Sequence, residues 1–264
     1  PDAMLWLTRL KITDQYSYDH AVDVSVHLMI LGRFMGFERS AIEHLGQAGL
    51  MQDIGKTRID PRILSKAGPL TEDEYQIVKT HVLSSLELLK AQGGFSAAVV
   101  KTVVGHHERH DGSGYPRNLK GDGISLHAEL AGLIDTYCAM TRQRTYSSAV
   151  SSQRALEALC RMRDTKFRAT LVDQLIQCIG LYPIGTLVEL NSGEVAIVIQ
   201  QNQVRRLRPR LLVLLAPDKT LERRPRNLDL LLEPETPTGE PYRIRNALPP
   251  DAYGIDPSEF FLDA

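Results

Sequence analysis

The run His106-His107-Glu108-Arg109-His110-Asp111-Gly112-Ser113-Gly114-Tyr115-Pro116 holds the densest chemistry in the sequence. Adjacent residues on a helix are about 100° apart around its axis, so two neighbouring imidazoles at a helix end can serve one cation or two adjacent ones. Imidazole nitrogen suits zinc, iron, manganese or nickel better than magnesium. A second constellation, Gln52-Asp53-Ile54-Gly55-Lys56, places a carboxylate at a helix end, then a glycine that lets backbone approach a ligand, then a lysine. Asp53 has two oxygens with which to bridge two metals, and Lys56 can hold a phosphate oxygen as a point charge. His20, His81 and Asp135 each stand inside a stretch of helical periodicity. A polar side chain near an apolar stripe is costly unless satisfied, so three of them on three helices can converge on one core site. Singly, each of these residues also fits a plainer role: a solvated histidine, a helix-end lysine, a capping acid. As a set they predict a helical bundle whose carboxylates and histidines project inward onto a polynuclear metal site.

The elements that must position these groups follow from the apolar spacing. Val22, Val26, Met29, Ile30 and Phe34 form one face of a helix over about 17–37, ended by Gly36. Residues 40–54 read as a second helix, with Ser40 and Glu43 as a capping box and Gly55 as its stop. Thr71 can cap one long helix to about Lys90, with Ile77, Val78, Val82, Leu86 and Leu89 on its buried side and His81 in its middle. Helices are also expected at 95–109, 124–141, 151–161 and 166–180. After Gly180 the period becomes extended: 186–190, 194–199 and 211–215 read as strands of a small antiparallel sheet, the first two joined by Asn191-Ser192-Gly193. Residues 217–264, with eight prolines, read as an irregular wrap. The expected division is a helical metal-site domain over 1–180, a β extension over 181–216 and a proline-rich tail over 217–264.

Composition limits the classes of function. With 264 residues, 31 basic and 32 acidic side chains and a net charge of −1, the chain supports a sizeable core but no basic field for polymeric nucleic acid. All eight histidines precede residue 128, and ten of the fourteen prolines follow residue 180, so any chemistry belongs to the first half. Cys138, Cys160 and Cys178 are odd in number and form no CxxC pair, which suggests reduced thiols and a cytoplasmic setting. No apolar stretch approaches the ~18 residues of a membrane span. A chain opening at Pro1 without a secretion signal reads as a piece of a longer protein.

On these motifs, residues about 11–180 resemble the HD-GYP family, a branch of the metal-dependent HD phosphohydrolases. The stretch His106 to Pro116 matches the family signature without a gap. Tyr16-Ser17-Tyr18-Asp19-His20, Asp53 to Lys56, Ile63 to Thr71, Ile134-Asp135 and Arg144-Thr145-Tyr146 add to it. The resemblance implies an HD-type helical bundle with a C-terminal β extension and a bacterial enzyme or receptor for cyclic di-GMP, hydrolysing it to pGpG or GMP. It implies metal ligation by His20, the HD pair at 52–53, His81, His106, His107 and Asp135, with two or three divalent ions, iron or manganese. It also places Lys56 at the substrate phosphate and makes the loop of Asp111, Gly112, Gly114, Tyr115 and Pro116 a contact for nucleotide or partner, with Arg144 a candidate second phosphate contact. Joined sensory or receiver modules, a diguanylate cyclase (GGDEF) partner and a homodimer are further expectations of this kind.

The match fails at the motif that names the family, where Gln52 stands in place of the histidine of the HD pair. A second family aspartate is Cys138 here. An amide oxygen is a weaker and harder ligand than imidazole, so the half of the site near His20, Gln52, Asp53 and Asp135 should lose metal affinity. Two expectations therefore stand side by side: a phosphodiesterase slowed by Gln52, or a non-catalytic effector that binds cyclic di-GMP or a protein partner.

Overall fold

A computed structural model describes residues 2–142, 149–202, 205 and 207–255. The chain divides into two compact units, residues 1–148 with 159–178, and residues 149–158 with 179–264.

The first unit is helical: α1 Asp2–Thr13, α2 Gln15–Phe34, α3 Arg39–Met51, α4 Pro61–Leu64, α5 Glu72–Lys79, α6 His81–Gln92, α7 Ala97–Gly105 and α8 Leu126–Thr141. Along the chain follow α9, Ser152–Arg161, whose first part belongs to the second unit, and α10, Ala169–Ile179. One core cluster joins Leu7, Ala48, Met51, Ile54, Leu88, Leu89, Val99 and Val103, drawn from α1, α3, α6, α7 and the 3-10 turn Ile54–Arg58. Burying such side chains contributes ~1.5–3 kcal/mol each before entropy is counted.

Three local expectations are corrected. The apolar face Val22, Val26, Met29, Ile30 and Phe34 of α2 is 36–51% exposed, while α2 buries Ser17, His20, Ala21, Val24, Ser25, Leu28, Leu31 and Gly32. Small residues decide this: a methyl on Gly49 of α3 would sit 2.6 Å from the Ser25 Cα, so α2 and α3 close backbone to backbone on their small faces. Helix α3 starts two residues before a Ser40 cap would place it, with Glu38 as N-cap, and Glu43 pairs with Arg39 instead of closing a box. The long helix from Thr71 divides at Thr80. Thr71 and Glu74 do form a capping box, but Thr80 directs both its N–H and its hydroxyl to the Ile77 carbonyl, three residues back. That tight turn ends α5 and makes His81 the first residue of α6, not the middle of a helix.

The second unit carries a five-stranded antiparallel sheet in the order β4-β3-β2-β1-β5, with β1 Leu187–Leu190, β2 Val195–Gln200, β3 Arg210–Leu215, β4 Leu221–Asp229 and β5 Ile244–Ala247. Val188 pairs with Ala196 across the β1–β2 hairpin, where Gly193 takes φ +86 and donates its N–H to Leu190 O. Alternate residues of β1–β3 feed two separate apolar clusters, one around Val188, Val198 and Val213, the other around Leu187, Ile197 and Leu214. The expected irregular stretch after residue 216 thus supplies two strands. Both are edge strands, where a residue without an N–H such as Pro225 of β4 is tolerated, and this is why a proline-rich sequence can still extend a sheet. Among the described residues no helix is long and apolar enough to cross a membrane.

Candidate metal centre

Five elements of the first unit bring the sequence-read residues together. His20 comes from the first turns of α2, Gln52 caps the C-terminus of α3 with Asp53 next to it, and His81 opens α6. His106 caps the C-terminus of α7 with His107 beyond it, and Asp135 lies in the body of α8. Ligand atoms of Asp53, His81, His106 and His107 all lie within 4.8 Å of one another, as do those of His20, Asp53 and Asp135. Asp53 belongs to both groups.

Glycines make this convergence possible. A methyl on Gly55 would strike the His81 carbonyl oxygen, and one on Gly132 of α8 would strike that of His106. Backbone therefore touches backbone at both places, which only glycine permits. Ser85 adds a clasp: its hydroxyl donates to Gln52 O and accepts the Gly55 N–H.

Backbone carbonyls fix two of the imidazoles. His81 Nδ1 lies 2.6 Å from Val78 O and His106 Nδ1 2.7 Å from Val103 O, so each carries its proton on Nδ1 and presents the Nε2 lone pair to the centre. Those two Nε2 atoms, together with Asp53 Oδ1, Gln52 Oε1 and His20 Nδ1, are buried without a hydrogen-bond partner. An unmade hydrogen bond on a buried polar atom costs ~1–3 kcal/mol, so five in one pocket are uneconomical unless something polar completes them. Imidazole and carboxylate donors shared through one bridging acid fit divalent transition metals in adjoining sites.

The local charges agree with that fit. Burial works to raise the Asp53 pKa, but the Lys56 ammonium, 2.8 Å from Oδ2, and the facing histidines outweigh it and hold the carboxyl below the usual range. Burial drives His81 down to about 4 against the pull of Asp53, and it lowers His106 and, further, His107. All three imidazoles are therefore neutral at pH 7, as ligands must be. Asp135 is also held low: burial opposes its ionisation, but His20 Nε2 at 2.9 Å more than compensates. Its Oδ1 also accepts from Gln52 Nε2 at 3.0 Å.

His20, Asp53, His81 and Asp135 line a cleft of about 1040 Å³. Lys56, His107, Gly114 and Tyr115 from the sequence-read set border it, and Tyr115 stacks on His107 with ring centroids 4.6 Å apart. Asp111 is turned to Lys166 and Ser113, while Pro116 follows Tyr115 through a cis peptide bond. Gly112 adopts φ +83, and Gly114 packs against the backbone of His107 to Arg109 where a methyl would collide. Arg144 lies outside the described residues.

Sequence reasoning gave no role to Glu108. It is buried, and its two oxygens accept the backbone N–H groups of Arg117 and Leu119, each at 2.8 Å, which pins the loop after His107. An acidic residue type directly beside two histidines was the available signal. Cys138 is buried, its thiol pushed well up by burial, with its sulfur 3.8 Å from His27 Nδ1 and outside both ligand groups. Of the other histidines, His27 Nδ1 meets Asp23 O and His110 faces Glu129, away from the cluster.

A family model described as HD domain matches residues 10–171, more than half of the chain. The chain belongs to the HD-domain family. This HD domain is 36% identical over 215 residues to a cyclic di-GMP phosphodiesterase of Pseudomonas aeruginosa, covering 81% of this chain and 51% of that one. It is 34% identical over 149 residues to 3'3'-cGAMP-specific phosphodiesterase 1 of Vibrio cholerae, covering 56% of this chain and 34% of the relative. The chain thus spans about half or less of the length of these curated relatives. Among solved structures, Bd1817, an HDG"Y"P protein from Bdellovibrio bacteriovorus, shares the fold with a TM-score of 0.51 at 17% identity, covering 60% of this chain and 50% of that one.

Proposed function

We propose that this HD domain is a metal-dependent phosphodiesterase for cyclic di-GMP, yielding pGpG or GMP, and that Gln52 slows it. The observation that carries this reading is the pair of ligand groups joined through Asp53, with buried nitrogen and oxygen atoms that a cation would complete. His81, His106, His107 and Asp53 would hold one ion, iron or manganese as the HD-GYP resemblance implies, and His20, Asp53, Asp135 and the Gln52 oxygen a weaker second. Such ions, when bound, supply Lewis acidity to the phosphate and lower the pKa of an attacking water.

The chain's own groups do the rest. Lys56 stands at the cleft wall beside Asp53, placed to neutralise a phosphate oxygen as negative charge grows on it. The Nδ1–H bonds of His81 and His106 to carbonyls keep both rings in one tautomer and one orientation throughout. Tyr115, stacked on His107 with its hydroxyl pKa raised by burial, stays neutral and offers a ring face and a hydroxyl to the nucleotide. Arg144 is retained as a candidate second phosphate contact.

A specific contact favours a second reading. The Gln52 amide donates to Asp135, so one half of the cluster is already hydrogen-bonded within itself. In that reading the domain binds cyclic di-GMP, or a partner such as a diguanylate cyclase domain through the Tyr115 loop, without turning it over. A homodimer is compatible with either reading.

The test is turnover by anaerobically purified chain loaded with Mn²⁺ or Fe²⁺, with products separated by chromatography. Formation of pGpG or GMP, lost in Asp53→Ala, supports the enzyme. No turnover in wild type together with a gain in Gln52→His supports the effector.

A further inference from the structure

The seam between α2 and α8 carries a second rung of polar side chains beyond His20–Asp135. Arg142 caps the C-terminus of α8 seven residues after Asp135, close to two helical turns, so the two point to the same side about 10 Å apart along the axis. Its Nε and Nη2 lie 2.8 and 2.6 Å from Asp23 Oδ2, and its Nη1 lies 3.4 Å from Asp19 Oδ2. Asp19 and Asp23 are one turn apart on α2, and Asp19 adjoins His20. Asp19 and Arg142 line the same cleft as the metal-ligand groups, with side chains 37% and 29% exposed, so a ligand can reach both.

The charge balance of this rung bears on what it can recognise. Two carboxylates around one guanidinium leave a net negative cluster, which repels a second phosphate; Lys56, elsewhere in the cleft, is better placed for that task. A neutral ring edge that offers acceptors and donors side by side is a better match. Arginine reads the O6 and N7 acceptors of guanine with its planar fork. A carboxylate accepts from the N1–H and N2–H₂ donors on the adjoining edge of the same base. Adenine reverses both: an amino group replaces O6, and a bare N1 acceptor faces the carboxylate. Asp23 Oδ2, accepting from both Nε and Nη2, steadies the plane of the fork, which lowers the ordering cost of a planar contact. The 10 Å offset from Asp135 is also on the scale of a nucleotide, with its phosphate at the ligand groups and its base along the seam.

We infer that Asp19 and Arg142, held by Asp23, form a base-reading site that selects guanine over adenine in the cyclic dinucleotide. This rests on the phosphodiesterase or receptor reading above and names the base that the site prefers.

The test compares cyclic di-GMP, 3'3'-cGAMP and 3'3'-cyclic di-AMP in competition against a fluorescent cyclic di-GMP, using the full chain in Mn²⁺ with ligand integrity followed in parallel. Wild type is expected to favour cyclic di-GMP over cyclic di-AMP by about 10-fold or more, the scale of one bidentate base contact. Arg142→Met should weaken cyclic di-GMP by that factor and leave cyclic di-AMP within about 2-fold, bringing the ratio towards one. Arg142→Lys keeps the charge and the ion pair but not the fork; it should lose the same selectivity, and it decides the matter if the methionine variant fails to fold. Equal weakening of all three ligands in the variants, a variant ratio unchanged from wild type, or a wild type that binds cyclic di-GMP and cyclic di-AMP alike overturns the base-reading site and leaves the wider reading standing. A wild type that binds none of the three overturns both.

Discussion

On one side of Asp53 three imidazoles converge; on the other stand one imidazole, one amide and one carboxylate. The difference is greater than a count of nitrogens. On the first side, His81 Nε2 and His106 Nε2 are aimed inward without partners. On the second, His20 and Gln52 both turn a nitrogen to Asp135 Oδ1, which leaves His20 Nδ1 and Gln52 Oε1 as the unpartnered atoms. Both sides keep two orphaned donor atoms, but the first side's are imidazole nitrogens, while one of the second's is the Gln52 amide oxygen, the weaker ligand. Affinity for metal should follow the same order.

The sharpest way to break this asymmetry is to remove what the two sides share. Asp53→Ala should abolish stoichiometric metal binding on both sides, a loss exceeding the ~10–100-fold typical of an outer partner, with turnover falling alongside. Metal analysis after gel filtration reads the outcome, and retention of one full equivalent would contradict the bridging role. His106→Ala should next remove the tighter equivalent, while His20→Ala spares it; calorimetric titration with Mn²⁺ distinguishes the two. Gln52→His should sharpen the comparison from the other direction by raising affinity for the weaker equivalent about 10-fold, within the range of a changed ligand environment.

A smaller effect concerns pH. His81 titrates near 4 in the fold and near 6.5 in the unfolded chain, so between these values the unfolded state binds more protons. In chelator-treated protein, the His81 contribution to stability should be full above pH 6.5, fall as the pH drops and be lost below 4. His81 contributes at most ~3 kcal/mol to this loss, and His106 and His107 act in the same direction. Urea midpoints at pH 7, 5.5 and 4.5 measure the slope, which His81→Asn should flatten. The smallest change is expected from Glu108→Gln: a loss of about 1.5–3 kcal/mol in stability, read by thermal denaturation, with metal stoichiometry intact.

The donor set was legible in the sequence because it depends on residue type and on a few spacings; His20, Asp53, His81, His106, His107 and Asp135 are brought together by the fold. Which face of α2 is buried was not. Val22, Val26 and Ile30 have the right period for a core stripe, but so do Ala21, Val24, Leu28 and Leu31, and the helix is apolar on two sides. The contest is settled by how closely α3 can approach, a matter of Ser25, Gly46 and Gly49, whose small volumes leave no mark on a hydrophobic period. The break at Thr80 was hidden for a similar reason, since the deciding bonds run to a carbonyl that every residue has. The edge strand β4 was hidden by Pro225, which a central strand could not accept, and β5 by its shortness and the prolines on either side of it.

The grip of Glu108 has an evolutionary consequence. Its carboxylate holds the loop by the main-chain amides of Arg117 and Leu119 and by no feature of their side chains. Those positions can accept almost any residue that keeps an N–H, proline alone being barred, without disturbing His107 or Tyr115. The loop that follows the cleft residues Gly114 and Tyr115 is thereby free to diversify while the chemistry before it stays in register.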